Sequence, residues 1–192
     1  MAVKKRKIED EKIEYEIIFG NEKIVFIKSG AGGSVRGYAD KYFRMAQRIH
    51  EQTGATVICA SNPDIPHETI DVEEIRFVIN EMALSNFELY FIGTSDGAYH
   101  NLSLAKQFNE TAKWIGINTS YTDVIDLKKR LMALPNVHKV MFHGTEDDDF
   151  YKVGPVLSKM KCDNFTLKFV EGADHSFTGM IEEFIALADN LL

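Results

Sequence analysis

Three residue types that together can carry out nucleophilic acyl transfer occur in order along this chain. Ser95 lies in a Gly-x-Ser-x-Gly sequence at 93–97, four consecutive acidic residues follow at 146–149, and His175 comes near the end. A serine hydroxyl is a weak nucleophile until a histidine removes its proton, and that histidine needs a carboxylate to orient its ring. The order serine, acid, histidine therefore predicts a nucleophile, a general base and an orienting acid.

The Gly-x-Ser-x-Gly pattern is informative only between a strand and a helix. An apolar run precedes it at 87–92, and a helical pattern follows at 98–108. In that context the serine lies on a sharp turn that exposes its hydroxyl. A side chain at Gly93 or Gly97 would collide with the neighbouring strand or helix, so both glycines are predicted to be required sterically. The alternative is a turn serine in a Rossmann-like domain without catalysis.

Strand-like and helix-like runs alternate along the chain and must position these residues. This order predicts a mostly parallel sheet of about seven strands with helices on both faces, a three-layer αβα sandwich with functional groups at the carboxyl ends of the strands. Gly20-Asn21 between the first two strands is typical of a hairpin turn. Asp71 is the expected N-cap of the second helix, and an amphipathic helix is expected from Met180 to the C-terminus. The seven strand-like runs are 13–19, 23–28, 56–60, 87–92, 114–117, 137–142 and 165–170.

Composition limits the classes of function. The 192 residues predict one domain, 1–192, whose charged residues 1–10 are expected to be a frayed terminus and not a secretory signal. A net charge of −7 argues against nucleic acid as a partner, and no apolar stretch is long enough to predict a membrane span. Cys59 and Cys162 are interpreted as reduced thiols, which favours a cytoplasmic protein. Neither these cysteines nor the histidines form a metal-binding motif, so no metal is expected.

Three motifs together resemble the α/β-hydrolase fold of serine hydrolases, and the resemblance covers nearly the whole chain. The sequence at 93–97 matches the nucleophile elbow after the fifth strand of that fold. The sequence His143-Gly144-x-x-Asp147-x-x-Phe150 is similar to the segment after its seventh strand, and 172–177 is similar to the Gly-x-x-His-x-Phe segment after its eighth. Only the first, antiparallel edge strand of the fold has no counterpart in the sequence pattern.

The resemblance implies roles for these residues. Ser95 would be the nucleophile, His175 the general base and Asp147 the triad acid, with Asp148 as the alternative because acidic residues are consecutive there. The alternative for His175 is a solvated loop histidine. An oxyanion hole needs two backbone N–H groups. Asp96 would supply one, and Ala31 the other, with Gly32 next.

The loop at 29–34 has Ser29-Gly30-Ala31 where the family often has His-Gly-x, and a glycine-rich loop before a helix could instead cradle phosphate. Lys28 and Arg36 flank this loop and are interpreted as solvated.

Cap domains of the fold that this chain resembles usually enter after the sixth strand, and the connection there, 118–123, is short. The resemblance therefore implies no cap domain and an open site, in which Gly30, Gly32 and Tyr121 would contact substrate. We therefore expect a small-molecule acyl substrate, an ester or thioester, cleaved without a cofactor. Two alternatives remain open, a binding module that has lost catalysis and a peptidase with the same triad. The sequence leaves the oligomeric state open.

Overall fold

The structure is a computed structural model that describes residues 2–8, 10, 12–65, 67–120, 123–148, 150–189 and 191. Its strands are β1 Val3–Ile8, β2 Ile13–Ile18, β3 Asn21–Lys28, β4 Ala55–Ala60, β5 Glu88–Thr94, β6 Thr111–Ile117, β7 His138–Gly144 and β8 Phe165–Val170. Its helices are α1 Lys41–Thr53, α2 Glu68–Glu81, α3 Asp96–Ala105, α4 Val124–Met132, α5 Phe150–Leu157 and α6 Ile181–Ala186, and a 3-10 turn covers Tyr38–Asp40.

These strands form one mostly parallel sheet in the order β1-β2-β4-β3-β5-β6-β7-β8, in which β2 alone runs opposite to the other described strands. Helices α1 and α6 cover one face, where Met45, Ile49 and Phe184 are buried. Helices on the opposite face bury residues such as Ile75 and Leu127 against it. The predicted three-layer αβα sandwich is therefore confirmed, with eight strands instead of seven in the described part of the chain.

The expected hairpin at Gly20-Asn21 is wrong. Strand β4 lies between β2 and β3, so the two runs that flank Gly20 do not pair with each other. The connection is instead bound to the start of β4. The N–H of Gly20 donates to Thr56 Oγ1 over 2.9 Å, and the N–H of Asn21 donates to the carbonyl oxygen of Gly54 over 2.7 Å.

The expected frayed N-terminus at 1–10 is also wrong for Val3–Ile8, which form the antiparallel edge strand that the sequence pattern lacked. Met1 and Glu9 lie outside the described residues. The cations of this strand bind acidic groups of the fold, and Arg6 pairs with Glu74 over 2.8 Å while its guanidinium packs on the Phe77 ring. These partners come from α2, so only the folded chain makes this charged segment a strand.

Two helix boundaries differ from the sequence pattern. Helix α2 begins at Glu68, and Asp71 is a buried residue inside its first turn and not its N-cap. The last helix covers Ile181–Ala186, shorter than expected. Among the described helices, none is both long and apolar enough to cross a bilayer.

Candidate active site

Ser95 lies on a sharp turn between β5 and α3, with φ 54° and ψ −124°. A non-glycine residue in this region costs about 1–3 kcal/mol, which the surrounding structure must offset. A Cβ at Gly93 would lie 2.4 Å from the Cα of Ala98, and one at Gly97 would lie 2.0 Å from the carbonyl oxygen of Ser29. Both glycines are therefore needed for the close approach of the backbone at this turn, as the sequence predicted.

Neighbouring elements hold this turn in place. The N–H of Ser95 donates to the carbonyl oxygen of Ile117 at the end of β6 over 2.9 Å. The fully buried Trp114 of β6 donates from its indole nitrogen to the carbonyl oxygen of Ala98 in the first turn of α3 over 3.0 Å. The strained serine is thus fixed from both the strand and the helix side.

His175 and Asp147 meet at the carboxyl ends of β7 and β8. The His175 Nδ1 atom lies 2.7 Å from Asp147 Oδ2, and the aspartate is buried whereas the histidine side chain is half exposed. Asp148 is exposed, as is Glu146, so the geometry selects Asp147 as the partner of His175. Asp149 lies outside the described residues. The hydrogen bond to Asp147 raises the pKa of His175 above 6.5, against the opposing effect of burial.

Asn118 connects the two loops that carry this pair, and the sequence pattern gave no indication of it. Its Nδ2 donates to the carbonyl oxygens of Asp174 and His175, each over 3.0 Å. Its Oδ1 accepts from the N–H of Gly144 over 2.7 Å. The residue is buried at the end of β6 with φ 44°, a backbone conformation that asparagine tolerates better than most residues. Asn118 therefore sets the position of His175 relative to the acid loop.

A cavity of ≈ 340 Å³ is lined by both Ser95 and His175. Its other wall is the glycine-rich loop, whose Gly30 approaches so closely that a Cβ there would lie 3.3 Å from the Cβ of Ser95. Ala31 also lines this cavity, whereas Gly32 lines a neighbouring one. Tyr121, expected to border the site, lies outside the described residues.

The backbone N–H groups near Ser95 differ in whether they already donate a hydrogen bond within the protein. Gly32 donates to the carbonyl oxygen of Asn62 over 2.7 Å, and Gly33 donates to that of Gly30 over 2.9 Å. Within the described residues, the N–H of Ala31 has no such acceptor. Asp96 is the first residue of α3, and the first N–H groups of a helix have no partner within it. Two amides beside Ser95 can therefore donate to a ligand.

A buried charge network lies behind this site, which corrects the interpretation of Lys28 as solvated. Lys28 and Asp71 are both fully buried, with Nζ 2.7 Å from Oδ2. Tyr15 donates to the other carboxylate oxygen over 2.7 Å, and His100 Nε2 lies 3.1 Å from Oδ2. Burial raises the pKa of Asp71, but the hydrogen bonds from His100, Lys28 and Tyr15 together hold it below its usual value. Arg36 is bound too, to Glu16 over 3.0 Å.

Two residues of this network, Asp71 and His100, together with His67 form the one group among the described residues whose side-chain atoms are close enough to bind a metal ion. Atoms of His67, Asp71 and His100 all lie within 4.8 Å of one another. The ammonium of Lys28 already provides a positive charge at the carboxylate, so a divalent cation there would meet a like charge. We therefore interpret the cluster as a structural ion-pair network that joins β2, β3, α2 and α3.

The chain adopts the α/β-hydrolase fold, and the described residues include no cap domain. No family model matches the chain, and no curated protein matches it by sequence. Solved structures do match it over nearly their full lengths. Est1E from Butyrivibrio proteoclasticus is 12% identical, with a TM-score of 0.69 over 97% of this chain and 96% of that one.

Two further structures show the same similarity. An alpha-beta serine hydrolase homologue from Coxiella burnetii is 17% identical, with a TM-score of 0.65 over 100% of this chain and 99% of its own. Alpha/beta hydrolase domain-containing protein 10 from mouse is 13% identical, with a TM-score of 0.66 over 100% and 98%. At such identities the similarity establishes the fold, so the reaction must be argued from the site.

Proposed function

We propose that the protein is a serine hydrolase that cleaves a carboxylic ester or thioester through an acyl-serine intermediate. The observation that carries this proposal is the site at the strand ends. Ser95, on its strained turn, lines the same cavity as His175, whose ring is held by the buried Asp147. A turn serine without a catalytic role would not require both a strained backbone and an oriented imidazole beside it.

In the proposed mechanism His175 Nε2 removes the hydroxyl proton of Ser95, whose oxygen attacks the acyl carbonyl. Asp147 accepts a hydrogen bond from Nδ1–H, which fixes the tautomer that leaves Nε2 free to act as base. The amides of Ala31 and Asp96 stabilise the negative oxygen of the tetrahedral intermediate. His175 then protonates the leaving alcohol or thiol. In the second half of the reaction His175 removes a proton from a water molecule, whose oxygen attacks the acyl-enzyme, and then returns that proton to the oxygen of Ser95 as the acid leaves.

A cavity of ≈ 340 Å³ with no cap domain over it in the described part of the chain favours a small-molecule acyl substrate over a long lipid chain. Gly30 and Ala31 line it and would contact the acyl group, whereas Gly32 would act through the shape of the loop. This chemistry uses no cofactor. Cys59 and Cys162 are both free thiols, which supports a reducing compartment such as the cytoplasm.

Labelling by a fluorophosphonate probe tests the proposal. The purified protein should be labelled, and Ser95→Ala and His175→Ala should both abolish labelling because the probe reports an activated serine. Ser103→Ala is the matched control, since Ser103 lies on the same helix outside the cavity and should label as wild type. Labelling that persists in Ser95→Ala would refute the assignment. A folded wild-type protein that does not label would favour a binding module.

An ester, thioester and peptide panel then separates the esterase from the peptidase alternative. We expect measurable kcat/KM on short para-nitrophenyl esters and on short acyl thioesters, and none on peptide substrates. Cleavage of peptides at rates above those of esters would overturn the substrate class while leaving the triad intact.

A further inference from the structure

Lys41 is a buried cation in the wall of the Ser95 cavity. It is the first residue of α1, it is 5% exposed, and it lines the cavity together with Ser95 and His175. Its Nζ donates to the carbonyl oxygen of Ser176, the residue after His175, over 2.9 Å. The ammonium therefore lies beside the catalytic loop and not at a distant part of the surface.

The charge of Lys41 is poorly compensated. Its one hydrogen-bond acceptor among the described residues is a neutral carbonyl, and no described carboxylate forms a salt bridge with it. The charge of Asp174 opposes the effect of burial on the pKa of Lys41, but the two residues form no salt bridge, and Asp174 Oδ1 accepts instead from the N–H groups of Ser176 and Thr178. Burial accordingly lowers the pKa of Lys41. An ammonium has three donors and its burial is costly unless it is paired, so this site favours an anionic ligand.

Aromatic rings support the ammonium without neutralising it. Nζ lies 4.5 Å from the centroid of the Phe184 ring and 5.4 Å from that of Tyr42. Tyr42 lines the cavity as well. Lys28 provides the comparison, because that lysine is buried still more completely and has a carboxylate at 2.7 Å. The difference between the two lysines is that Lys41 borders the cavity, where a ligand can provide the missing charge.

We propose that Lys41 forms an anion subsite of the catalytic cavity and that the substrates are esters or thioesters that carry a carboxylate near the scissile bond. The carboxylate would take the free N–H donors of the ammonium while Ser95 attacks the acyl carbonyl. This inference rests on the proposed hydrolase function and names its substrate class. The carboxylate could belong to the acyl group, as in a half-ester of a dicarboxylic acid, or to the alcohol, and both have the same chemistry at Lys41.

Charge selectivity tests the subsite. We would compare para-nitrophenyl hydrogen glutarate with its neutral amide isostere, and a butyryl ester of meta-hydroxybenzoate with that of meta-hydroxybenzamide. The wild type should prefer the anionic member of at least one pair by about tenfold or more in kcat/KM. Lys41→Met should lower that preference about tenfold or more, mainly through KM, and Lys41→Arg should restore part of it. The pair that responds identifies the side that carries the carboxylate.

Lys139→Met is the matched control. Lys139 is also buried and donates to a carbonyl oxygen, that of Leu134 over 2.7 Å, but it does not line this cavity. Its removal should leave the charge preference as in wild type. A Lys41→Met variant that loses activity equally on charged and neutral esters would overturn the subsite and show that Lys41 only positions the His175 loop.

A binding measurement separates this proposal from the proposed reaction. Ser95→Ala protein should bind glutarate, observed as a shift of the thermal midpoint or of NMR signals, and Ser95→Ala/Lys41→Met should not. Glutarate binding that Lys41→Met does not weaken overturns the subsite even if Ser95 labels. Lys41-dependent binding by a protein that does not label supports the subsite and refutes only the hydrolase.

Discussion

The buried pair of Lys28 and Asp71 offers a sharp test of what stabilises the structure behind Ser95. Both side chains are fully buried with Nζ and Oδ2 2.7 Å apart. We would replace each residue separately, by Lys28→Met and Asp71→Asn, and then both together. Each single change leaves one charge buried without its partner, whereas the double variant removes both charges.

The magnitude follows from the distance and the burial. At 2.7 Å and an effective dielectric constant of about 20, the gross attraction is about 6 kcal/mol, and the desolvation of two ions opposes most of it. Breaking a buried pair costs about 3–5 kcal/mol, a large part of a total stability of roughly 5–15 kcal/mol. For a chain of this length, that cost lowers Tm by roughly 6–20 °C. The double variant should lose less than the sum of the two single variants by about 1–3 kcal/mol.

Urea unfolding and thermal scans of all three variants provide the measurement. The exposed pair of Lys4 and Glu81, at a similar 3.0 Å, is the control, and Lys4→Met should cost only about 0–1 kcal/mol because solvent screens that pair. The low pKa of Asp71 adds a pH signature. The ionised Asp71 contributes stability at a pH above the pKa that this residue has in the unfolded chain, and the contribution is lost as the pH falls through its lower pKa in the folded protein. Asp71→Asn should therefore make the free energy of unfolding depend less on pH in acid. A Lys28→Met cost as small as that of the exposed pair, or strictly additive costs, would refute the reasoning.

Three further predictions concern the site. The hydrogen bond to Asp147 raises the pKa of His175, and the base must be neutral, so kcat/KM should rise with pH through a midpoint above 6.5. Asp147→Asn should move that midpoint down and lower kcat by about 10⁴-fold, and an unmoved midpoint would contradict the assignment. Asn118→Gly removes the side-chain hydrogen bonds while glycine still allows the positive φ of this position. The variant should lose about 1–3 kcal/mol of stability in urea unfolding, and its kcat should fall more than its KM rises. Wild-type kinetics would show that His175 is held by other contacts. Gly97→Ala should abolish fluorophosphonate labelling and destabilise the fold, since its Cβ would lie 2.0 Å from the Ser29 oxygen, and a labelled, stable Gly97→Ala protein would mean that the turn can relax.

The parts of the fold that local sequence specifies were predicted, and those that depend on distant partners were not. The elbow at 93–97 was predictable because glycine spacing and the change from a strand to a helix pattern are local properties. The edge strand Val3–Ile8 was missed because its lysines and arginine look solvated until Glu74, Glu81 and Phe77 of α2 lie beside them. The order of β2, β4 and β3 was missed for a similar reason, since Gly20-Asn21 has hairpin composition but bonds to residues at the start of β4.

For the candidate site, the sequence by itself determined the residue types, their order and their places at strand ends, because Ser95, the acidic run and His175 each follow a strand-like run in the sequence pattern. It left Asp147 and Asp148 as alternatives, and only the tertiary structure shows that Asp147 is the one that is buried and lies 2.7 Å from His175. Asn118 and Lys41 also emerged only from the structure. Neither residue belongs to a motif. Asn118 and Lys41 each donate to carbonyl oxygens of the loop that carries His175, which lies far away in the chain, so no local sequence pattern could indicate their roles.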